Sequence, residues 1–98
     1  MLKRAEPLFL ECLKQRQVAL GDTHPDTLRS MNNLAILYHS QGKYAEAEPL
    51  YLECLKQRQV TLGDTHPDTL NSMNNVAGFY RNQGKYAEAE RLTSERKF

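Results

Sequence analysis

Sliding the sequence along itself by 42 positions lays residues 5–48 on residues 47–90, and 36 of those 44 positions are identical. The exceptions are positions 9, 19, 29, 34, 36, 37, 39 and 40. Self-similarity at this period is the signature of a solenoid, in which one supersecondary unit stacks on copies of itself. The 98 residues hold a little over two units, cut out of phase. The repeat alone therefore sets the problem: find the unit, then its faces, then its ends.

Each unit reads as two helices. Pro25–Gln41 ends at Gly42, and Leu28, Met31, Leu34, Ala35 and Tyr38 recur at helical spacing on one face. Pro25 suits the first helical position, Asp26 the positive end of the dipole and Gly42 the C′ position. We term this helix A. Helix B, Tyr44–Leu62, stops at Gly63 and shows Tyr44, Ala47, Tyr51, Cys54, Leu55 and Leu62 on its main face. Leu50, Leu52 and Val60 widen that face, as expected for a helix covered from two sides. Pro49, in its second turn, predicts a tolerated kink. The scheme repeats over Pro67–Gln83, Gly84 and Tyr86 onward, and the chain opens with a B helix at Leu2–Leu20. The expected order is B-A-B-A-B: five helices and no strand. The expected fold is all-α, a right-handed solenoid of antiparallel helix pairs. We divide it as one repeat domain over 1–98: a partial repeat with helix B only at 1–21, a repeat at 22–63, and a repeat with a polar C-terminal cap at 64–98.

The stretch Asn33-Leu-Ala-Ile-Leu-Tyr-His-Ser-Gln-Gly-Lys-Tyr-Ala-Glu-Ala47 resembles the tetratricopeptide repeat. Met31, Leu34, Ala35, Tyr38, Gly42, Tyr44, Ala47, Tyr51 and Cys54 occupy that motif's packing positions. The unit is longer than the usual motif, with the extra length around Gly63-Asp-Thr-His-Pro67. This longer form is similar to the repeats of kinesin light chains. Met31 and Met73 depart from the motif, which prefers tryptophan there, as do Thr93 and Arg96 in the last helix. The resemblance implies a TPR-like superhelix whose A helices line a concave surface and hold extended peptides.

Composition narrows the partners. Lys plus Arg number 13 and Asp plus Glu 12, a balance that lacks the basic excess of a nucleic-acid or anionic-membrane binder. No apolar run approaches the roughly 18 residues of a membrane span. We see no signal peptide at Met1-Leu-Lys-Arg-Ala-Glu-Pro7, and two cysteines are too few for a disulfide scaffold, so a cytoplasmic setting is the expectation.

No catalytic, metal or cofactor site is expected. Cys12 and Cys54 share one register, and solenoid translation holds them apart, so both read as buried core thiols. His24 and His66, near Asp22, Asp26, Asp64 and Asp68, suggest acid–base pairs. Their unchanged duplication points instead to a capped turn in each unit. Phosphate loops, HExxH and nucleophile elbows are absent from the sequence. Glu46, Glu48, Lys56 and Arg58 read as solvated surface.

The candidate binding face is the outer side of the A helices. Arg29, Asn33, Ile36 and Ser40 oppose the apolar face, with Asn71, Asn75, Gly78 and Asn82 as equivalents. Asn32, His39, Asn74 and Arg81 border them, and six of the eight differences between units fall in helix A. An amide both donates to and accepts from a peptide backbone. For Asn32 and Asn74, pinning the A-helix stack is as good a reading as binding; Asn33 and Asn75 favour an exposed groove. The leading function is therefore a non-enzymatic interaction scaffold whose groove binds an extended peptide or partner helix. The alternative is a structural array module that stacks or self-associates without a peptide ligand. For self-association we single out Ala5, Leu8, Phe9, Leu10, Cys12 and Leu13 on the first helix, which has no A helix before it. A homo-oligomer through that open helix is expected. At the other end Arg91, Thr93, Ser94, Arg96 and Lys97 replace apolar residues, as in a solubilising cap.

Overall fold

The computed structural model describes residues 2–85. They form four helices: α1 (Leu2–Leu20), α2 (Pro25–Ser40), α3 (Tyr44–Leu62) and α4 (Pro67–Asn82). The chain is a helical solenoid of antiparallel helix pairs, α1 packing on α2, α2 on α3 and α3 on α4. The fifth helix expected from Tyr86, and the polar cap, lie outside the described residues. The A helices end one residue earlier than expected, with Gln41 and Gln83 as C-caps. Pro7 and Pro49 lie inside α1 and α3, which continue through them.

Local chemistry sets the ends. Gly42 takes φ +77°, and the Lys43 N–H behind it donates to the Tyr38 carbonyl at 2.8 Å, closing the last turn of α2. At the start of each A helix the backbone N–H of residue 26 or 68 donates to a histidine ring. Asp26 N lies 3.1 Å from His24 Nδ1, and Asp68 N lies 3.0 Å from His66 Nδ1. Both histidines are thus N-caps on helices that begin with proline, the capped turn expected once in each unit.

Two apolar clusters fill the stack. One joins Leu13, Leu28, Met31, Leu34, Leu37 and Cys54. The other joins Ala35, Ala47, Tyr51, Leu55, Met73, Val76 and Phe79. Helix α3 contributes to both, which explains its broad apolar surface.

A polar clasp ties each B helix to the next A helix. Arg58 was expected on the solvated surface, but it is 7% exposed. Its Nη1 donates to the Asp68 carbonyl at 3.1 Å and to Ser72 Oγ at 2.8 Å, while Thr69 Oγ1 donates to the Arg58 carbonyl at 3.1 Å. The same clasp joins Arg16 to Asp26, Ser30 and Thr27 at 3.0, 2.8 and 3.2 Å. Hydrogen bonds to backbone and hydroxyl oxygens let the guanidinium be buried without a carboxylate contact. Glu48 also departs from the expectation: half-buried, it accepts from Tyr80 Oη at 2.9 Å. Glu46 and Lys56 are exposed, as expected.

The two cysteines differ. Cys54 is fully buried; its thiol donates to the Leu28 carbonyl at 3.4 Å and meets Ser72 Oγ at 3.6 Å. Cys12, expected to be buried in the same register, is exposed. It keeps the contact to the following helix, Ser30 Oγ at 3.5 Å, but no carbonyl of a preceding A helix caps it among the described residues.

Candidate interaction face

The A-helix face is built from residues that the periodicity pushes away from the core. Arg29, Asn33, Ile36, Ser40, Asn71, Asn74, Arg81 and Asn82 are all exposed, and Asn32, His39 and Asn75 are half-buried. The structure gathers some of them into two adjoining depressions. One, of about 420 Å³, is lined by Ile36, His39, Ser40, Tyr44 and Asn82. The other, of about 370 Å³, is lined by Ala5, Phe9, Asn33, Ile36, Leu37 and Ser40 and is mostly apolar. Ile36 and Ser40 belong to both, so the two form one trough. Arg29 and Arg81 line neither; Arg29 pairs loosely with Asp26 at 3.8 Å.

The asparagines divide by role. Asn75 Nδ2 donates to Asn32 Oδ1 of the preceding A helix and to Asn71 Oδ1, both at 3.1 Å. Both N–H hydrogens of Asn75 are thus engaged, and the amide rung pins α4 to α2. This is the stacking role for Asn32 and Asn75. Asn33 and Asn74, identical in sequence to them, stand exposed at the two outer sides of the stack.

His39 organises the wider depression. Its ring meets Tyr51, Phe79 and Tyr44 edge-on, with centroids 5.9, 5.2 and 5.7 Å away. Asn82 Nδ2, a donor, lies 3.0 Å from Nε2, so Nε2 accepts and Nδ1 carries the proton it donates to Tyr51 Oη at 3.2 Å. The ring is therefore neutral. Burial lowers the His39 pKa below its ordinary 6.5 and pushes the Tyr51 phenol up to about 12. The histidine shift has a definite sign: the unfolded chain takes up the proton first as pH falls. The contribution of His39 is fully present above 6.5 and is lost as pH drops through the lower folded-state value. Melting curves of the wild type and His39→Gln between neutral and mildly acidic pH check this. The wild type should lose more stability than the variant over that window; parallel losses would contradict the assignment.

Sequence reasoning missed Tyr44 as a lining residue, having placed it on the core face. It counted Leu13 with the open face of α1, whereas Leu13 is 7% exposed and belongs to the core beneath α2. Among the described residues no three His, Cys, Asp or Glu side chains converge to hold a metal ion. No helix among them is long and apolar enough to cross a membrane.

A family model described as tetratricopeptide repeat matches the sequence twice, over residues 2–59 and 37–93. No curated protein gives a significant match.

Proposed function

The chain belongs to the tetratricopeptide repeat family, whose repeats are generally protein-interaction modules, and from that premise we propose that its A-helix trough binds an extended peptide or a partner helix. The observation that carries this is the continuity of the two depressions through Ile36 and Ser40. An apolar side chain fits the pocket floored by Ala5, Phe9 and Leu37. The neighbouring segment then lies against His39, Tyr44 and Asn82, and the Tyr44 hydroxyl and the Asn82 amide oxygen meet a peptide backbone. We read the module as a non-enzymatic scaffold acting in the cytoplasm, with no nucleic acid, membrane or cofactor involved. A displayed peptide library panned against the intact chain, with Ile36→Glu as the counter-target, tests it. The expected result is a family of peptides that the variant does not capture. Enrichment of the same peptides on both proteins would overturn the trough as the site.

The amides separate binding from stacking. Asn33→Ala and Ser40→Ala should weaken capture and leave the melting temperature nearly unchanged. Asn75→Ala removes two part-exposed hydrogen bonds and should cost about 1–2 kcal/mol. A destabilised Asn33→Ala variant would contradict the division.

A second reading has its own support. Phe9 is 37% exposed and Leu8 71%, whereas Tyr51, one repeat on from Phe9, is 3% exposed. We propose on this ground that Leu8, Phe9 and Cys12, with Ala5 beside them, form an interaction face for a second copy of the chain; Leu10, half-buried, packs instead against the core cluster that holds Leu13. Sedimentation at rising concentration tests it: the average mass should rise, and a constant monomer would overturn it.

A further inference from the structure

Helix α4 carries a glycine in its interior where α2 carries isoleucine: Gly78 is the counterpart of Ile36 one repeat back. Glycine inside a helix costs stability relative to any ordinary residue. Neither backbone nor packing demands it here. Gly78 has no positive φ, and a Cβ added to it would meet nothing within 4 Å among the described residues. It is nonetheless half-buried. A recessed residue with empty space above it is the floor of a hollow.

Two polar rungs bound that hollow. In one, Asn75 Nδ2 donates to Asn32 Oδ1 at 3.1 Å; in the other, Asn82 Nδ2 donates to His39 Nε2 at 3.0 Å. Both tie α4 to α2, and on each helix they stand seven residues, or roughly 10 Å, apart. Gly78 lies between the rungs on α4. Ile36 lies between them on α2, 44% exposed, and lines the same depression as Asn82. The furrow between the two helices is thus bridged at two heights and open in between. Asn82 Oδ1 and Asn32 Nδ2 make no hydrogen bond among the described residues, so one rung keeps an acceptor and the other a donor.

We propose that this notch over Gly78 takes an apolar side chain of the peptide held in the trough, and that Gly78 decides which peptides are accepted. The proposal rests on the trough as the binding face and adds a second anchor to it. Three residues of extended chain span roughly 10 Å, the separation of the rungs. The N–H of the first donates to Asn82 Oδ1, and the carbonyl of the third accepts from Asn32 Nδ2. The side chain of the middle residue enters the notch, against Ile36 and the bare Gly78 backbone. An isoleucine at position 78, as at 36, would fill that space.

A displayed library of random linear peptides, panned in parallel on the full chain, on Gly78→Ile and on Ile36→Glu, tests it. Gly78→Ile gives α4 the residue that α2 already carries, so the melting temperature should hold. Peptides selected on the wild type should be recovered at least about tenfold less on Gly78→Ile, as expected when an apolar anchor is left in water. Gly78→Ala should raise the melting temperature by about 2–8 °C, because the fold gains from losing this glycine. If Gly78→Ile loses helix content, Gly78→Gln fills the same space with a better helix former than glycine. Undiminished recovery on the filled variant, with loss on Ile36→Glu, would overturn the notch and leave the trough standing. A lower melting temperature for Gly78→Ala would also overturn it, by giving the glycine a structural role. Equal recovery on all three proteins would overturn both notch and trough.

Discussion

Phe79→Ala should remove a large share of the stability of this chain. Phe79 is 1% exposed at the junction of α2, α3 and α4, with ring centroids of His39 and Tyr51 each 5.2 Å away and Tyr80 at 5.6 Å. Emptying such a site typically costs about 3–5 kcal/mol, from lost transfer energy plus the cavity left behind. Domains of this kind have only about 5–15 kcal/mol in total. At about 4–8 °C per kcal/mol for a small domain, the melting temperature should fall by roughly 12–40 °C. Phe79→Leu should cost far less, because the preceding unit carries Leu37 at the same place and packs around it. Thermal unfolding followed by circular dichroism measures both. A fall of only a few degrees for Phe79→Ala would mean that the aromatic junction is not where the repeats are held together.

The two thiols should differ in reactivity by at least about a thousandfold, since a buried group reacts only through opening and about 1.4 kcal/mol of opening energy is a factor of ten. Cys12 is exposed and should react with a disulfide reagent like a free thiol. Cys54 is sealed between α2 and α4, and burial raises its pKa, which depletes the reactive thiolate further. Peptide mapping after a timed pulse of reagent assigns each rate. Equally fast labelling in the native state would contradict the packing of α3 between two A helices.

These residues show what a repeat makes legible. Its period, its glycines and its prolines located four helices to within one residue at their C-terminal ends. The same logic placed Leu28, Met31, Leu34 and Ala35 in the core, because helical spacing decides which face is apolar. Arg58 escaped that logic. Its burial depends on a carbonyl and a hydroxyl on the next helix, which no apolar pattern announces. A signal was present nonetheless: Arg16 with Thr27 and Ser30, and Arg58 with Thr69 and Ser72, recur unchanged at non-apolar positions. Asn32 and Asn74, or Cys12 and Cys54, show the opposite limit. Identical letters acquire different surroundings because one copy lies inside the stack and the other at its edge. A periodic sequence does not mark edges. The trough at Ile36 and Ser40 was half-legible: the wheel exposed those residues, but only the fold brought Phe9 and Tyr44 alongside them.

The central claim is that partners are held on the A-helix face. Amide chemical-shift mapping of the intact chain with an enriched peptide addresses it residue by residue. Binding should shift Asn33, Ile36, Ser40 and Asn82 on the trough, and leave Glu53, Lys56 and Val60 on the outer side of α3 unmoved. Perturbations centred on α3, with the trough silent, would contradict the account.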